Sequence, residues 1–513
     1  MQKTEQLPAF GKWRNRLWPF HRHELKKLVP LILMKFLISV IYCLLFCLKE
    51  TITITSKGSG AEVIPVLKSF VVLPAAVIAA LCYSRLASFL KKTTLFYVTM
   101  GTFLSILFAY AFVLYPGASV LSPTTSADWL TSIIGENQSH WVSVYRNWFH
   151  SLFFVTAELW SPIMIFMVFW GLANDITTTS EAKRSYTIYI AAGDIAAACT
   201  GPVVAWVTRL LSSYDFMFTV QCLTIFAILV GVAIVGTYFY LQKNILSDPR
   251  YQIETPKQAK QKEKLSFTHG IKLLFSSPHI LGIAILVIGY GLCVNLVEVS
   301  WKANLKNAFP NPADFQSFTG MCQSMVGICG FIISAFFGSS LMRRFGWHAT
   351  AQLTPIIVGG AGVLFLFLCS VPSLNNWIAP ALGITPLLML VYLGAFHNIV
   401  SKVAKYSFFD PTKEMAYIPL SESEKIKGKA AIDVVGSRLG KSGASYIQVI
   451  LIALAGSGGS VLSISHFLMP ILVISTLGWI YSVKNLNQNL MQKAAEDDSK
   501  EPIPSTAPTP ATT

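Results

Sequence analysis

Charge is what this chain has least of. Only 13% of its 513 residues are Asp, Glu, Lys or Arg, about half the roughly 25% of a soluble globular protein. With 53% hydrophobic residues and a mean hydropathy of +0.55, the sequence is that of a membrane protein. Acidic residues are the scarcer kind, 25 against 40 Lys and Arg. The net charge of +15 would suit nucleic acid, but the basic residues sit in loops between apolar runs, where they mark the inner face of a membrane; no nucleic-acid partner is expected. Paired cysteines are missing. Cys43, Cys47, Cys82, Cys199, Cys222, Cys293, Cys322, Cys329 and Cys369 all lie in apolar runs and form no C-x-x-C pair, which excludes a disulfide framework and a structural zinc site. No Ser/His/Asp or metal-ligand constellation stands out among nine histidines, so no enzyme chemistry, metal or cofactor is expected. The first thirty or so residues are basic and aromatic, without the short apolar region and small-residue site of a cleavable signal peptide.

What the chain does have is apolar runs long enough to cross a bilayer, at roughly 30–54, 63–84, 93–115, 147–174, 185–211, 215–241, 279–302, 315–341, 347–370, 380–407, 430–456 and 462–483. The loops between them alternate. Arg85, Lys91, Lys92, Lys183, Arg184, Arg343, Arg344, Lys413 and Lys429 fall on one side, and the other side is poorer in Lys and Arg. This bias predicts twelve crossings with both termini in the cytoplasm. A polar, Lys-rich stretch lies near the middle. The reading is an all-α membrane protein of about twelve transmembrane helices in two six-helix halves, major-facilitator-like. Residues 1–27 are a basic cytoplasmic lead-in, 28–241 the first half, 242–278 a basic linker, 279–483 the second half and 484–513 a cytoplasmic tail of disordered composition. Tyr42, Leu48 and Glu50 recur at a constant offset as Tyr290, Leu296 and Glu298, a trace of internal repeat.

Ionisable residues inside apolar spans are the default functional candidates. Span one holds Lys35, Lys49 and Glu50; span four Glu158, followed by Pro162; span five Asp194; span seven Glu298 and Lys302; span ten Lys402 and Lys405; span eleven Asp433, Arg438 and Lys441. Lys35 reads as reaching back to the cytoplasmic face. Lys402 and Lys405 suit either an anchor or a site. Glu298 and Lys302 are spaced for a helical ion pair. Lys49 and Glu50 are adjacent, leave the helix in different directions, and must each find another partner. Asp194 sits among Ala and Gly, where helices approach closely; such a carboxyl either carries a proton or makes an interhelical hydrogen bond. Trp160 and Trp301 are candidates to stack on a base.

The stretch 427–445, KGKAAIDVVGSRLGKSGAS, carries the sharpest signal. It resembles a phosphate-binding loop, but Gly436 and Gly440 bracket three residues where that loop has four, and an apolar helix follows at once. It reads as the cytoplasmic entry to span eleven, with Arg438 and Lys441 on one helical face. Arg matches phosphate with a two-pronged contact and Lys supplies a point charge. Together with Lys49 they make a pocket for a polyanion.

Taken with GSGAEVIPVLK (58–68), AELW (157–160), FWGLANDITTTSEAKR (169–184) and DPTKEMAYIPL (410–420), this stretch makes nearly the whole chain resemble the ATP/ADP translocase (nucleotide transporter) family of obligate intracellular bacteria and plastids, in particular its chlamydial members. The resemblance implies nucleotide transport across a bacterial inner membrane. It also implies two lysines and two glutamates that matter for transport, matching Lys49, Glu158, Glu298 and Lys441. The expected partners are ATP, ADP or other nucleoside triphosphates, the bilayer and protons, and a monomer is expected. Substrate binding is assigned to Lys49, Arg438, Lys441, Glu158 and Glu298, and proton coupling to Asp194 and Glu50. The family's exchangers read Arg-Asp-Thr-Lys-Asp-Thr where this chain has Phe46, Cys47, Leu48, Lys49, Glu50 and Thr51. Loss of the Arg and the first Asp leaves two modes open, ATP:ADP antiport and proton-coupled import of nucleoside triphosphates. Transport of another phosphorylated anion, such as NAD or a sugar phosphate, is the alternative.

Overall fold

A computed structural model describes residues 22–135, 138–177, 179–247, 277–336, 338–420, 424, 428–429, 432, 436–455 and 460–498. The lead-in up to residue 21, most of the Lys-rich linker, Asp433 and the tail beyond 498 lie outside the described residues. Among the described residues every regular element is helical. That follows from the solvent: in hydrocarbon each backbone N–H and C=O must be satisfied within its own segment.

Eleven helices are long and apolar enough to cross a membrane. They are α1 Glu24–Thr55, α2 Val63–Phe89, α3 Lys92–Leu114, α4 Trp148–Ile176, α5 Arg184–Leu210, α6 Phe216–Leu246, α7 Pro278–Ala308, α8 Pro312–Ser334, α9 Arg344–Ser370, α10 Pro386–Met415 and, last in the chain, α12 Ser465–Gln492. Between the last two lies α11, Ser437–Leu454. At 18 residues it is long enough for most of a crossing, but Arg438, Lys441, Ser442, Ser445 and Gln448 make it the least apolar of the set. A helix of that composition holds its place by facing protein and water, not lipid. Two short helices, Thr124–Ile134 and Ser139–Arg146, cap the first half between α3 and α4, in a stretch read from sequence as a loop.

Buried apolar side chains form two cores. One gathers residues of α1, α3, α4, α5 and α6. The other gathers residues of α7 to α12, joined by Ile54, Val63, Ile64, Leu67 and Phe154 from the first half. Small residues bring the halves together. An added Cβ on Gly201 would sit 2.2 Å from the Gly320 carbonyl oxygen, and one on Gly327 2.3 Å from the Ala198 nitrogen, so α5 and α8 touch backbone to backbone. Within the second half Gly291 meets Gly440 in the same way; a Cβ on Gly291 would lie 2.8 Å from the Gly440 Cα. Gly440 of α11 therefore serves close helix packing, inside a helix and not in a phosphate-cradling turn.

The end of the bundle where α1 and α7 begin is called here the terminal face. At the opposite, far face the halves are tied. Glu62 accepts hydrogen bonds from the Ser460 hydroxyl at 2.9 Å and the Val461 N–H at 3.2 Å, and Lys306 donates to the Ser59 carbonyl. At the terminal face Lys27–Glu181 and Arg184–Glu24 join helices of the first half, and Trp347 donates to the Thr412 carbonyl inside the second. The stretch of α2 nearest that face, Leu73–Phe89, buries none of its residues.

Among the described residues five crossing helices widen locally to i→i+5 hydrogen bonding: Leu67–Val72 in α2, Tyr110–Leu114 in α3, Ser161–Phe169 in α4, Gln242–Leu246 in α6 and Lys405–Phe409 in α10. In α4 the widening begins at Ser161, just before Pro162, whose ring would otherwise strike the carbonyl of Glu158 four residues back. Such segments are rare and gather at functional sites.

Candidate functional site

Six ionisable side chains from α1, α2, α4 and α7 meet in one alternating chain. Glu158 of α4 pairs with Lys49 of α1. Lys49 also reaches Glu50 at 3.0 Å. Glu50 pairs with Lys302 of α7 at 2.7 Å, Lys302 with Glu298 at 2.9 Å, and Glu298 with Lys68 of α2 at 3.0 Å. Lys68 also donates to the Asn295 amide oxygen at 3.0 Å. Three lysines balance three glutamates, so the chain is neutral. Neutrality is what makes it tolerable, because an isolated ion in this setting costs several kcal/mol.

The chain runs from sealed to open. Lys302 and Glu50 are each 1% exposed, whereas the Glu158 side chain keeps 29% of its surface. Lys441 lies at that open end. It is exposed, yet it belongs to the interior, since its charge interacts with Glu158, Lys405, Lys68 and Glu298. Lys441 is thus an exposed lysine whose charge is felt by the carboxylates of the ion chain. Among the described residues no carboxylate lies within ion-pair distance of Lys441, or of the half-exposed Arg438 one turn before it. Lys441 thus stands at the open end with no carboxylate at ion-pair distance among the described residues.

Lys402 and Lys405 flank this centre. Lys402 lies over the Phe46 ring, 4.2 Å from its centre, and donates to the Gln323 amide oxygen at 3.3 Å. Lys49 also lies over that ring, at 5.1 Å. Phe46, standing where the resembled exchangers have Arg, therefore presents an aromatic face to cations. Lys405 is paired with Asp410 at 3.1 Å. Asp194 sits apart, on α5 against Gly327 and Gly330 of α8. Its Oδ2 is buried without a hydrogen-bond partner, and Lys35 of α1 is the cation beside it.

Four sequence expectations need correction. Lys35 does not reach back to the terminal face; it is buried, donates to Ser39 at 3.0 Å and lies against Gly193, with the charge of Asp194 beside it. Lys49 and Glu50 do find outside partners, Glu158 and Lys302, but they also meet each other, since two long side chains can curl together despite adjacent Cα atoms. Glu298–Lys302 is more than a local helical pair, because Lys302 also holds Glu50. Trp160 and Trp301 do not face the cavity. They are 0% and 3% exposed and donate to the backbone carbonyls of Ile38 and Val391.

Sequence reasoning missed Lys68. The signal was present, as it is an ionisable residue inside the second apolar run, three positions after Pro65. The repeated glutamates gain a meaning as well: Glu50 and Glu298, equivalent in the two halves, converge on the one ammonium of Lys302.

Solved structures share this architecture. A bacterial homologue of the iron transporter ferroportin in its inward-facing state superposes with a TM-score of 0.55 at 14% identity, over 90% of this chain and 98% of that one. The nucleoside transporter NupG gives 0.53 at 14% identity, over 90% and 99%. Among proteins of known sequence, the "ADP,ATP carrier protein 1" of Chlamydia trachomatis is 39% identical over 506 residues, 98% of this chain and 95% of the relative. The "Plastidic ATP/ADP-transporter" of Solanum tuberosum is 38% identical over 92% of this chain and 74% of its own length. The "ADP,ATP carrier protein 1" of Rickettsia typhi is 35% identical over 95% and 98%. The sequence pattern of the TLC ATP/ADP transporter family matches residues 2–490. The chain is a multi-pass membrane transporter, not an enzyme, and belongs to the TLC ATP/ADP transporter family.

Proposed function

We propose that this protein carries adenine nucleotides across the bacterial inner membrane, exchanging ATP for ADP, with both termini in the cytoplasm. Residues 28–241 and 279–483 are the two halves that rock about the central cavity. The observation that carries the reading is a neutral ion chain with Lys441 at its exposed end, where no carboxylate lies at ion-pair distance among the described residues. Such a site rests when empty and gains most from a ligand bearing several negative charges; a neutral solute would leave Lys441 and Arg438 unmatched. In this reading Arg438 and Lys441 bind phosphate oxygens, Lys49 joins them when substrate displaces Glu158, and Glu158 and Glu298 hold the empty site together. The relatives' names, ADP,ATP carriers from Chlamydia trachomatis and Rickettsia typhi, support the choice of nucleotide.

A second reading, proton-coupled import of nucleoside triphosphates, is favoured by the unsatisfied Oδ2 of Asp194 and by Phe46 and Cys47 in place of the exchangers' Arg and Asp. Glu50 would then be a second proton carrier. Counterflow in proteoliposomes separates the two. Exchange requires internal ADP and ignores a protonophore. Uptake that needs no internal ADP and collapses with a protonophore selects the second reading. Uptake of NAD or a sugar phosphate that excess ATP leaves intact rejects both.

A further inference from the structure

Lys68 is the one member of the ion chain that crosses from the first half of the bundle to the second by way of α2. It sits on the widened segment Leu67–Val72 and grips α7 through Glu298 and Asn295, each at 3.0 Å. Six residues earlier on the same stretch of chain, Glu62 makes the far-face tie to Ser460 and Val461. One turn beyond Lys302, Lys306 makes the companion tie to Ser59. The Lys306 tie and the Lys68 grip thus both join α7 to the chain around α2, and the Glu62 tie adds the residues just before α12. The neighbour Ser69 offers its carbonyl to the Tyr446 hydroxyl of α11 at 3.3 Å, and Phe70 meets the Tyr446 ring edge-on at 5.2 Å. That places α2 beside the helix bearing Lys441.

The Lys68 side chain keeps 15% of its surface, in contrast to the sealed Lys302. Its charge also interacts with Glu158, the carboxylate at the open end. A polyphosphate held by Lys441 beside Glu158 therefore comes within reach of the Lys68 ammonium. Phosphate outcompetes the present partners in kind: it brings more charge than one carboxylate and more acceptor atoms than one carboxylate plus one amide.

We infer that Lys68 is a phosphate ligand that also serves as the substrate-sensitive latch of the far-face seal. Nucleotide binding transfers the Lys68 ammonium from Glu298 and Asn295 to the phosphate chain. The transfer removes the central bond between α2 and α7 and leaves the Glu62 and Lys306 ties to hold the far face alone. Lys302 takes up the freed Glu298, so no carboxylate is stranded. Opening to the far face thereby becomes conditional on a bound polyphosphate. The inference rests on the proposed nucleotide transport and adds to it a residue and an order of events.

The test is ATP uptake by proteoliposomes containing Lys68→Gln, Lys68→Arg, or the charge swap Lys68→Glu with Glu298→Lys, with AMP, ADP and ATP as competitors. Folded, monodisperse protein is confirmed for each variant by size-exclusion chromatography. A phosphate ligand predicts that Lys68→Gln raises the half-saturating ATP concentration about tenfold to a hundredfold, the worth of a hydrogen bond to a charged group. AMP competition should change less than ATP competition. Lys68→Arg should retain most of the affinity. The charge swap should fail to restore it, because position 68 then repels phosphate. A swapped protein with wild-type half-saturation for ATP overturns the inference, since Lys68 would then only balance Glu298. A wild-type protein that ignores ATP overturns the transport reading itself, so the two failures are distinguishable. Should the swap fail to fold, Lys68→Gln decides alone: unchanged half-saturation with a lowered maximal rate contradicts a phosphate contact.

Discussion

Replacing Lys302 with methionine tests the ion chain as a structural unit. Its ammonium is held by Glu50 at 2.7 Å and Glu298 at 2.9 Å, and only 1% of its side chain is exposed. Lys302→Met preserves the volume and deletes the charge, leaving Glu50, Glu158 and Glu298 against Lys49 and Lys68. Breaking a buried pair from one side costs about 3–5 kcal/mol, because the carboxylates lose a partner without regaining water. Set against total stabilities of roughly 5–15 kcal/mol, that is a large share. The expected outcome is a clear drop in the thermal unfolding midpoint in detergent, partly restored when Glu50→Gln is added and neutrality returns. Lys441→Gln is the matched control. That lysine is exposed and has no carboxylate within ion-pair distance among the described residues, so its loss should stay within about 0.5 kcal/mol, as for other substitutions away from buried partners. Equal midpoints for Lys302→Met and wild type, or an equal loss in Lys441→Gln, would refute the division between sealed and open ends.

Lys441→Gln, though as stable as wild type, should abolish labelled ATP uptake by ADP-loaded vesicles; normal uptake would show that the charge is not needed. Gly291→Ala should deplete folded protein in the membrane, because its Cβ would lie 2.8 Å from the Gly440 Cα and backbone cannot yield as a side-chain tip does. Asp194→Asn should remove any protonophore-sensitive component of nucleotide uptake, read as net uptake into vesicles with and without an imposed pH gradient; a component that survives the change assigns proton coupling elsewhere.

Most of the fold was legible because a bilayer admits few solutions. Apolar run length gives the helices, eleven of which are long and apolar enough to cross among the described residues. Helix α11 lies inside the apolar run 430–456, where Arg438, Lys441 and Gln448 dilute its apolar content. The site was half legible. Ionisable residues in apolar runs pointed to Lys49, Glu158, Glu298 and Lys441, which the fold brings to one centre. Pairing was not legible. No spacing rule joins Lys302 to Glu50 or Lys68 to Glu298, because these contacts depend on which helices face one another across the two halves. Nor could exposure be read from residue type. Trp160 and Trp301 look like base platforms in sequence but are fixed in the cores by hydrogen bonds to Ile38 and Val391. Lys35 turns inward because Asp194, 159 positions away in the chain, is its neighbour.

The central claim is that the phosphate chain of a nucleotide occupies the open end of the ion chain. It is tested most directly by an experimental structure of the protein with bound ATP. The account predicts triphosphate density among α1, α2, α4, α7 and α11, with Lys441 within hydrogen-bond distance of phosphate oxygens and the Lys49–Glu158 pair broken. Nucleotide bound elsewhere, or bound here with its phosphates turned away from Lys441 and that pair intact, would contradict it.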